Sequence, residues 1–265
     1  MWKEMIKNHI NLSEAHAEDY DNNYGTFVTR NYMLYEQERI NLALNFLPTE
    51  KRNLAIDIGC GTGRCTLDLS YNFNDVIGID FSPKMLERAN YNAKKKQISN
   101  VTFELRDVNT YGFGEYREKI SLLNFAFGMG SFFEDINFLI KEIKRTLMKD
   151  GIFHITFYNK ESFVCKLISF VDMGISAIPI LDSEQLMVDN IQIPCKFYFP
   201  SEIRKLFSIY FKEISFSTYP TILPLIKNEV FNSKEVLSYC ENFDKKITNE
   251  YNGYYISAIY QNKQF

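Results

Sequence analysis

Residues 54–65 read LAIDIGCGTGRC, with Gly59, Gly61 and Gly63 at alternate positions directly behind an apolar run. Where a strand turns into a helix, missing side chains let a ligand lie against the backbone, and the first helical N–H groups are free to meet it. A small ligand is therefore expected at this turn. The spacing is GxGxG, with the acid Asp57 two positions before the first glycine. It is not the nicotinamide-binding GxGxxG, because Arg64 stands where the last glycine of that pattern would fall.

The turn needs strands and helices to hold it, and the chain supplies them in alternation. Short β-branched runs at 53–59, 75–80, 101–107, 120–127 and 151–158 read as strands. Residues 63–72, 82–96 and 133–149 read as helices, and in the last of these Ile136, Leu139, Ile140, Ile143 and Leu147 share one face. Alternating elements of this kind make a parallel sheet with right-handed crossovers, an α/β doubly wound sheet. Ligands of such sheets bind at the carboxyl ends of the strands. Residues 211–219 and 253–261 form an expected antiparallel pair that closes one edge. The lysines at 94–96 read as a solvated helix end.

The string Asp57-Ile58-Gly59-Cys60-Gly61-Thr62-Gly63 resembles the first motif of the class I S-adenosylmethionine-dependent methyltransferases, and two further motifs follow in order. In VIGIDFSPKML, Asp80 lies where that family sets an acid on the ribose hydroxyls, and a carboxylate can accept from two vicinal hydroxyls at once. In ELRDV, the resemblance sets Asp107 near the adenine amino group and Val108 against the ring. Taken singly, the glycines could be a tight turn, Asp80 a helix cap and Asp107 a turn residue. Their joint occurrence at the ends of successive strands favours cofactor binding. The chain departs from many relatives at the fourth strand, where Ile120 or Ser121 replaces an aspartate, and contact is expected at its far end, around Asn124, Phe125 and Ala126. The resemblance implies a Rossmann-like seven-stranded sheet, mostly parallel, in a single domain over 1–265. That domain divides into an N-terminal helical cover (1–45), a cofactor-binding core (50–158), a substrate-side insertion (159–200) and C-terminal edge strands with a helical insertion (201–265). The implied cofactor is S-adenosyl-L-methionine, with S-adenosyl-L-homocysteine as product. The implied site is Tyr20, Asp57, Gly59, Cys60, Gly61, Gly63, Asp80, Phe81, Ser82, Met85, Asp107, Val108, Asn124 and Phe125.

The segment SEAHAEDYDNNYGTFVTRNYMLYEQ resembles the cover that small-molecule members place over the site, with Tyr20 near the methionine part of the cofactor and Gly25 as a hinge. Tyr24, Tyr32 and Tyr35 are further candidates for the chamber, although helix packing accounts better for Tyr32 and Tyr35. His16 is a candidate base or substrate contact beside Tyr20. His154 reads as a hydrogen-bonded sheet residue, and His9 has no context that favours function. Methyl transfer from a sulfonium works mainly by in-line positioning in a closed chamber. With no clear base in the sequence, the reading leans to an amine, a carboxylate or an already acidic hydroxyl as acceptor. The insertion offers Phe163, Phe170, Met173, Ile175, Ile178 and Ile180 to line a pocket for an apolar small molecule, or to pack on the sheet or a second copy.

Composition narrows the alternatives. The chain has 265 residues, of which 46% are hydrophobic and 24% charged, as a chain with a sizeable core requires. A net charge of -3 gives no basic stripe, which disfavours an RNA (tRNA) methyltransferase but leaves it as the alternative, beside a non-catalytic cofactor-binding scaffold subunit. Five cysteines without a CxxC pair read as reduced thiols, with no metal site, in a cytoplasmic protein. Residues 163–181 carry Lys166, Asp172 and Pro179, too many breaks for a membrane span. A small-molecule acceptor, monomer or homodimer state and a setting in secondary metabolism complete the expectation.

Overall fold

The computed structural model describes residues 2–23, 27–170, 177–180, 184–221 and 234–263. Three helices lead the chain: α1 (Trp2–His16), α2 (Tyr20–Asn23) and α3 (Phe27–Asn45). Strands and helices then alternate as β1 (Leu54–Ile58), α4 (Arg64–Leu69), β2 (Asp75–Asp80), α5 (Pro83–Lys95), β3 (Val101–Leu105), α6 (Val108–Tyr111), β4 (Ile120–Phe125), α7 (Ile136–Thr146) and β5 (Leu147–Asn159). After α8 (Phe163–Phe170) come three short strands, β6 (Ala177–Ile180), β7 (Gln185–Val188) and β8 (Ile191–Pro194). The chain returns to the sheet through β9 (Phe197–Tyr198), α9 (Pro200–Ser208), β10 (Phe211–Tyr219), α10 (Lys234–Ile247) and β11 (Tyr255–Asn262).

The main sheet has the order β10-β11-β5-β4-β1-β2-β3, with β9 added beside β5. The seven expected strands form this path. β1 to β5 pair in parallel, and β11 runs antiparallel to both β5 and β10. β10 therefore points the same way as β5, and within the expected antiparallel pair it is β11 that opposes the rest of the sheet. The helix read over 133–149 starts later and stops earlier. Asp135 caps it by accepting from Asn137 N at 2.8 Å, and Leu147 turns extended to pair with Ile120. At α5 the cap is Ser82, which accepts from Met85 N, and Pro83 occupies the first turn where its missing N–H costs nothing.

Both faces of the sheet are covered. One core joins Ile56, Ile79, Leu123, Phe125 and Ile155 to Leu139, Ile140 and Ile143 of α7 and Phe207 of α9. On the other face Ile40, Ala43 and Leu44 of α3 pack on Ala55, Val76, Leu122 and Ile152. The insertion holds a structure that apolar composition did not announce. β6, β7 and β8 form a separate antiparallel meander, and β7 and β8 are joined by Asp189 and Asn190, both at positive φ, the geometry of a tight two-residue hairpin. Helix α1 lies on this meander, with Leu12 packed in one cluster with Leu186 and Ile193. Tyr24, Gly25, Met173 and Ile175 fall outside the described residues, as do the side chains of Phe170, Ile178 and Ile180. No described helix is long and apolar enough to cross a membrane.

At the antiparallel edge, the buried ring of Phe153 meets Phe207, Phe211 and Tyr260 at centroid distances of 5.8, 4.8 and 5.4 Å. Phe153→Ala is expected to cost about 3–5 kcal/mol, because this close-packed aromatic layer cannot collapse into the void. A denaturant midpoint unchanged from wild type would contradict that packing.

Candidate functional site

A cavity of about 670 Å³ opens at the carboxyl ends of β1, β2 and β4. Its floor is the glycine turn. Gly59, Gly61 and Gly63 have φ of 69°, 53° and 83°, a left-handed conformation that side chains with a Cβ resist. A Cβ on Gly59 would run into the sulfur of Met129, whereas one on Gly61 would lie 3.9 Å from Tyr20 Cε1. The ring of Tyr20 thus overhangs the turn from α2. Asp21, its neighbour, fastens that helix down. It accepts from Thr62 Oγ1 at 2.6 Å and from Asn92 Nδ2 at 3.0 Å, and Arg88 Nε lies 3.5 Å away. Burial alone would raise the Asp21 pKa, but these hydrogen bonds outweigh it and hold the carboxyl below its ordinary value.

Asp80, at the end of β2, reaches the cavity with its carboxylate already oriented. Gly61 N donates to Oδ2 at 2.9 Å and Ser82 N to Oδ1 at 2.9 Å. Burial nevertheless raises its pKa. Each oxygen keeps lone-pair capacity for a donor from the cavity side.

Beneath the turn runs a row of buried polar side chains. Asp57 accepts from Thr66 Oγ1 and from Asn124 Nδ2, each at 2.7 Å. Since Asn124 gives its amide hydrogen to Asp57, its Oδ1 is an acceptor for His154 Nδ1, 2.9 Å away. That assignment puts the imidazole hydrogen on Nδ1 and leaves Nε2 to accept from Ser257 Oγ at 3.1 Å, while Arg39 Nε donates to the same hydroxyl at 3.0 Å. Burial holds His154 neutral, with its pKa lowered to about 3, and pushes Asp57 up to about 6. The row ends at Glu36 of α3, whose Oε1 accepts from Phe127 N at 3.0 Å and from the Tyr219 hydroxyl. Phe127, a non-glycine residue at φ 55°, sits in the turn after β4 and lines the cavity. Glu36 thereby steadies a strained piece of the wall.

Of the residues singled out from sequence, His16, Tyr20, Asp57, Gly59, Cys60, Gly61, Asp80, Phe81, Met85 and Ala126 line this cavity. Gly63, Ser82, Asp107, Val108, Asn124 and Phe125 are not in its wall. Gly63 faces Phe103 and Ala89, and Ser82 caps α5. Asp107 caps α6, accepting from Asn109 N at 3.0 Å and Thr110 Oγ1 at 2.6 Å. Val108 and Phe125 are core residues, and Asn124 acts from below through Asp57. His16 is engaged through Nε2 with Asp189 Oδ2 at 2.9 Å, where it ties α1 to the β7–β8 hairpin. Tyr35 stacks on Tyr219 at 5.0 Å and Tyr32 meets Tyr255 edge-on at 6.2 Å, as packing residues do.

The rest of the wall was not foreseen: His9, Leu12 and Ser13 of α1, Arg64 with its guanidinium 4.9 Å over the Phe127 ring, Met129, Phe132, Tyr158, Tyr255, and Leu186, Val188, Asp189 and Ile193 of the meander. One signal for the hairpin was legible, the Asp189-Asn190 pair between two alternating apolar runs. The others are ordinary packing types, and no local pattern marks them.

Residues 50–187 match a family described as methyltransferase domain. A 23S rRNA (uracil(1939)-C(5))-methyltransferase of Vesicomyosocius okutanii is 37% identical over 82 residues, 31% of this chain and 18% of that protein. A trans-aconitate 2-methyltransferase of Methylobacterium radiotolerans is 39% identical over 85 residues, 30% of this chain and 31% of that protein. The chain thus spans less than a third of the length of these two curated relatives. Geranyl diphosphate C-methyltransferase from Streptomyces coelicolor, solved with Mg2+, geranyl diphosphate and S-adenosyl-L-homocysteine, has a TM-score of 0.54 at 12% identity, over 86% of this chain and 79% of that chain. At that identity the likeness speaks to the fold alone.

Burial also raises the Glu36 pKa, from an ordinary 4.5 to about 7. The folded chain therefore keeps a proton that the unfolded chain has lost between those values. The stability that this proton contributes is full below pH 4.5 and is lost as pH rises through about 7. Glu36→Gln, which cannot ionise, is expected to remove roughly 3 kcal/mol of that decline and leave the part due to Asp57 and the other buried carboxylates with raised values, Asp80 among them. Urea melts across this pH range check it; a parallel decline in wild type and variant would overturn the assignment.

Proposed function

The chain belongs to the methyltransferase-domain family, and from that premise we propose that it transfers a methyl group from S-adenosyl-L-methionine to an N or O atom of a small molecule. S-adenosyl-L-methionine supplies an electrophilic methyl group on a sulfonium. The residues present fit such a group. Asp80 offers a preorganised, buried carboxylate for the ribose hydroxyls, and the bare Gly61 leaves room for a close approach under the Tyr20 ring. Tyr20, Phe127 and Tyr255 bring aromatic faces to the same cavity, a favourable lining for a cation. Arg64 adds a positive charge on the same side, suited to a carboxylate. On this reading the whole chain works as one domain, α1 and the meander serving as the substrate-side cover.

The observation that carries the small-molecule reading is the roof. Helix α1 and the β7–β8 hairpin meet over the cavity through the His16–Asp189 pair, the hydrogen bond from Asn8 Nδ2 to Gln192 O and the packing of Leu12 on Leu186 and Ile193. Such a cover excludes water and suits an enclosed acceptor. An RNA acceptor would need a basic surface and room for splayed bases. The relative that modifies rRNA keeps this alternative open to test, and salt-sensitive tRNA binding to the purified protein would favour it.

Calorimetry is expected to show S-adenosyl-L-homocysteine binding to the protein. No heat with that ligand, alongside clear binding of NAD, would overturn the proposal. Asp80→Ala should weaken the affinity by about 1.5–3 kcal/mol, the usual loss for hydrogen bonds to a charged group, with the circular dichroism unchanged. Hydrogen exchange gives a second readout. Amides of α2 around Tyr20 should become more protected when the ligand is bound, and equal exchange in both states would contradict a cover that closes.

A further inference from the structure

His9 stands on α1 at the seam of the cavity. Its ring meets Phe81, the residue directly after Asp80, at a centroid distance of 5.0 Å, and Phe132 at 4.9 Å. It thus lies between the part of the cavity nearest Asp80 and the part walled by Tyr158, Leu186 and Ile193. The two phenyl rings flank it, and neither imidazole nitrogen makes a hydrogen bond to a described residue. The residue as a whole is only partly buried because it borders the cavity. Enough protein surrounds the ring that burial lowers its pKa to about 4, so at neutral pH it is an uncharged imidazole with a free lone pair. In that part of the wall His16 Nε2 and Asp189 Oδ2 are engaged with each other at 2.9 Å.

Resting on the methyl-transfer reading above, we propose that His9 is the catalytic base that meets the acceptor, and that the acceptor is a neutral aromatic or otherwise apolar molecule carrying a hydroxyl. As the acceptor oxygen forms its bond to the methyl carbon, the carbon–sulfur bond breaks with its electron pair going to sulfur. The O–H proton passes to the free His9 nitrogen and later to solvent. A weakly basic imidazole suffices, because a hydroxyl oxygen becomes strongly acidic as it gains a third bond. The same geometry disfavours charged acceptors. A carboxylate would be desolvated among Phe132, Tyr158 and Ile193, where no lysine or arginine stands among the described residues of that part of the wall, Arg64 being placed at the glycine turn, and an ammonium would sit beside the sulfonium and lack a nucleophilic lone pair.

The test uses one ring with three head groups. Naphthol, naphthoate and naphthylmethylammonium are titrated by calorimetry into protein saturated with S-adenosyl-L-homocysteine. Naphthol is expected to bind at least tenfold more tightly than the other two. His9→Phe, which preserves the aromatic stack, should weaken naphthol at least tenfold, and His9→Gln, which keeps a donor and an acceptor, should recover part of that loss. All three proteins should bind S-adenosyl-L-homocysteine equally. In wild type, naphthol should also shift the His9 imidazole resonances, a readout that needs no variant to fold. Absent naphthol binding, equal affinity for naphthoate, an unaffected His9→Phe or unmoved imidazole resonances would each overturn the proposal. Failure of wild type to bind S-adenosyl-L-homocysteine would instead remove the methyl-transfer reading on which it rests.

Discussion

Asp57, Asn124 and His154 face one another on three neighbouring strands, as direct register partners of β1 with β4 and of β4 with β5. All three are buried, and each would be costly in that position without its neighbour's hydrogen bond. A slip of β4 by one residue would turn Asn124 to the opposite face of the sheet and break its bonds to both Asp57 and His154. The row therefore locks the register of the parallel core, and the register decides where the strands end. Because β1 and β2 end together, Gly59 N and Cys60 N reach the carbonyl of Ile79, and Gly61 N reaches the carboxylate of Asp80. The floor of the cavity is a consequence of that alignment.

The same row reaches outward. His154 hands its bonding on to Ser257 of the antiparallel strand β11 and to Arg39 of α3, and Glu36, one helical turn before Arg39, holds Phe127 in the turn after β4. The N-terminal helices are thus anchored from two directions, α3 from beneath through Glu36 and Arg39, α2 from above through Asp21. Neither anchor is a surface ion pair of the kind worth little. They are partly or fully buried, and they connect the cover to the elements that carry the glycine turn.

Two kinds of wall meet in the cavity. The side near β1 and β2 is built from backbone and carboxylate, held by rigid strand ends, and suits a polar ligand in one orientation. The side under α1 and the meander is built from aromatic and aliphatic side chains brought by separate segments of the chain, and it is shaped by packing. An invariant chemical step needs the first kind. Among the described residues of the second, the polar groups His9, Ser13, His16 and Asp189 interrupt an otherwise apolar lining.

The sequence by itself determined the alternation of strands and helices, the glycine turn, and the acid at the end of the second strand. These are legible because each depends on neighbours in the chain: β-branched periodicity makes a strand, positive φ demands glycine at 59, 61 and 63, and Asp80 bonds to Ser82 two residues away. Tertiary structure alone decided the rest. Asp80 ends β2 and Asp107 follows the end of β3 by two residues, yet the fold turns one to the cavity and sets the other as a helix cap. His9 and His16 lie on the same helix and both line the cavity, and only the seating of α1 against Phe81, Phe132 and Asp189 decides that one stands between two rings and the other clasps the hairpin. Tyr158, Leu186 and Tyr255 have no local mark, because a packing residue becomes a wall residue only through partners distant in the chain, and no short-range periodicity encodes which partners those will be.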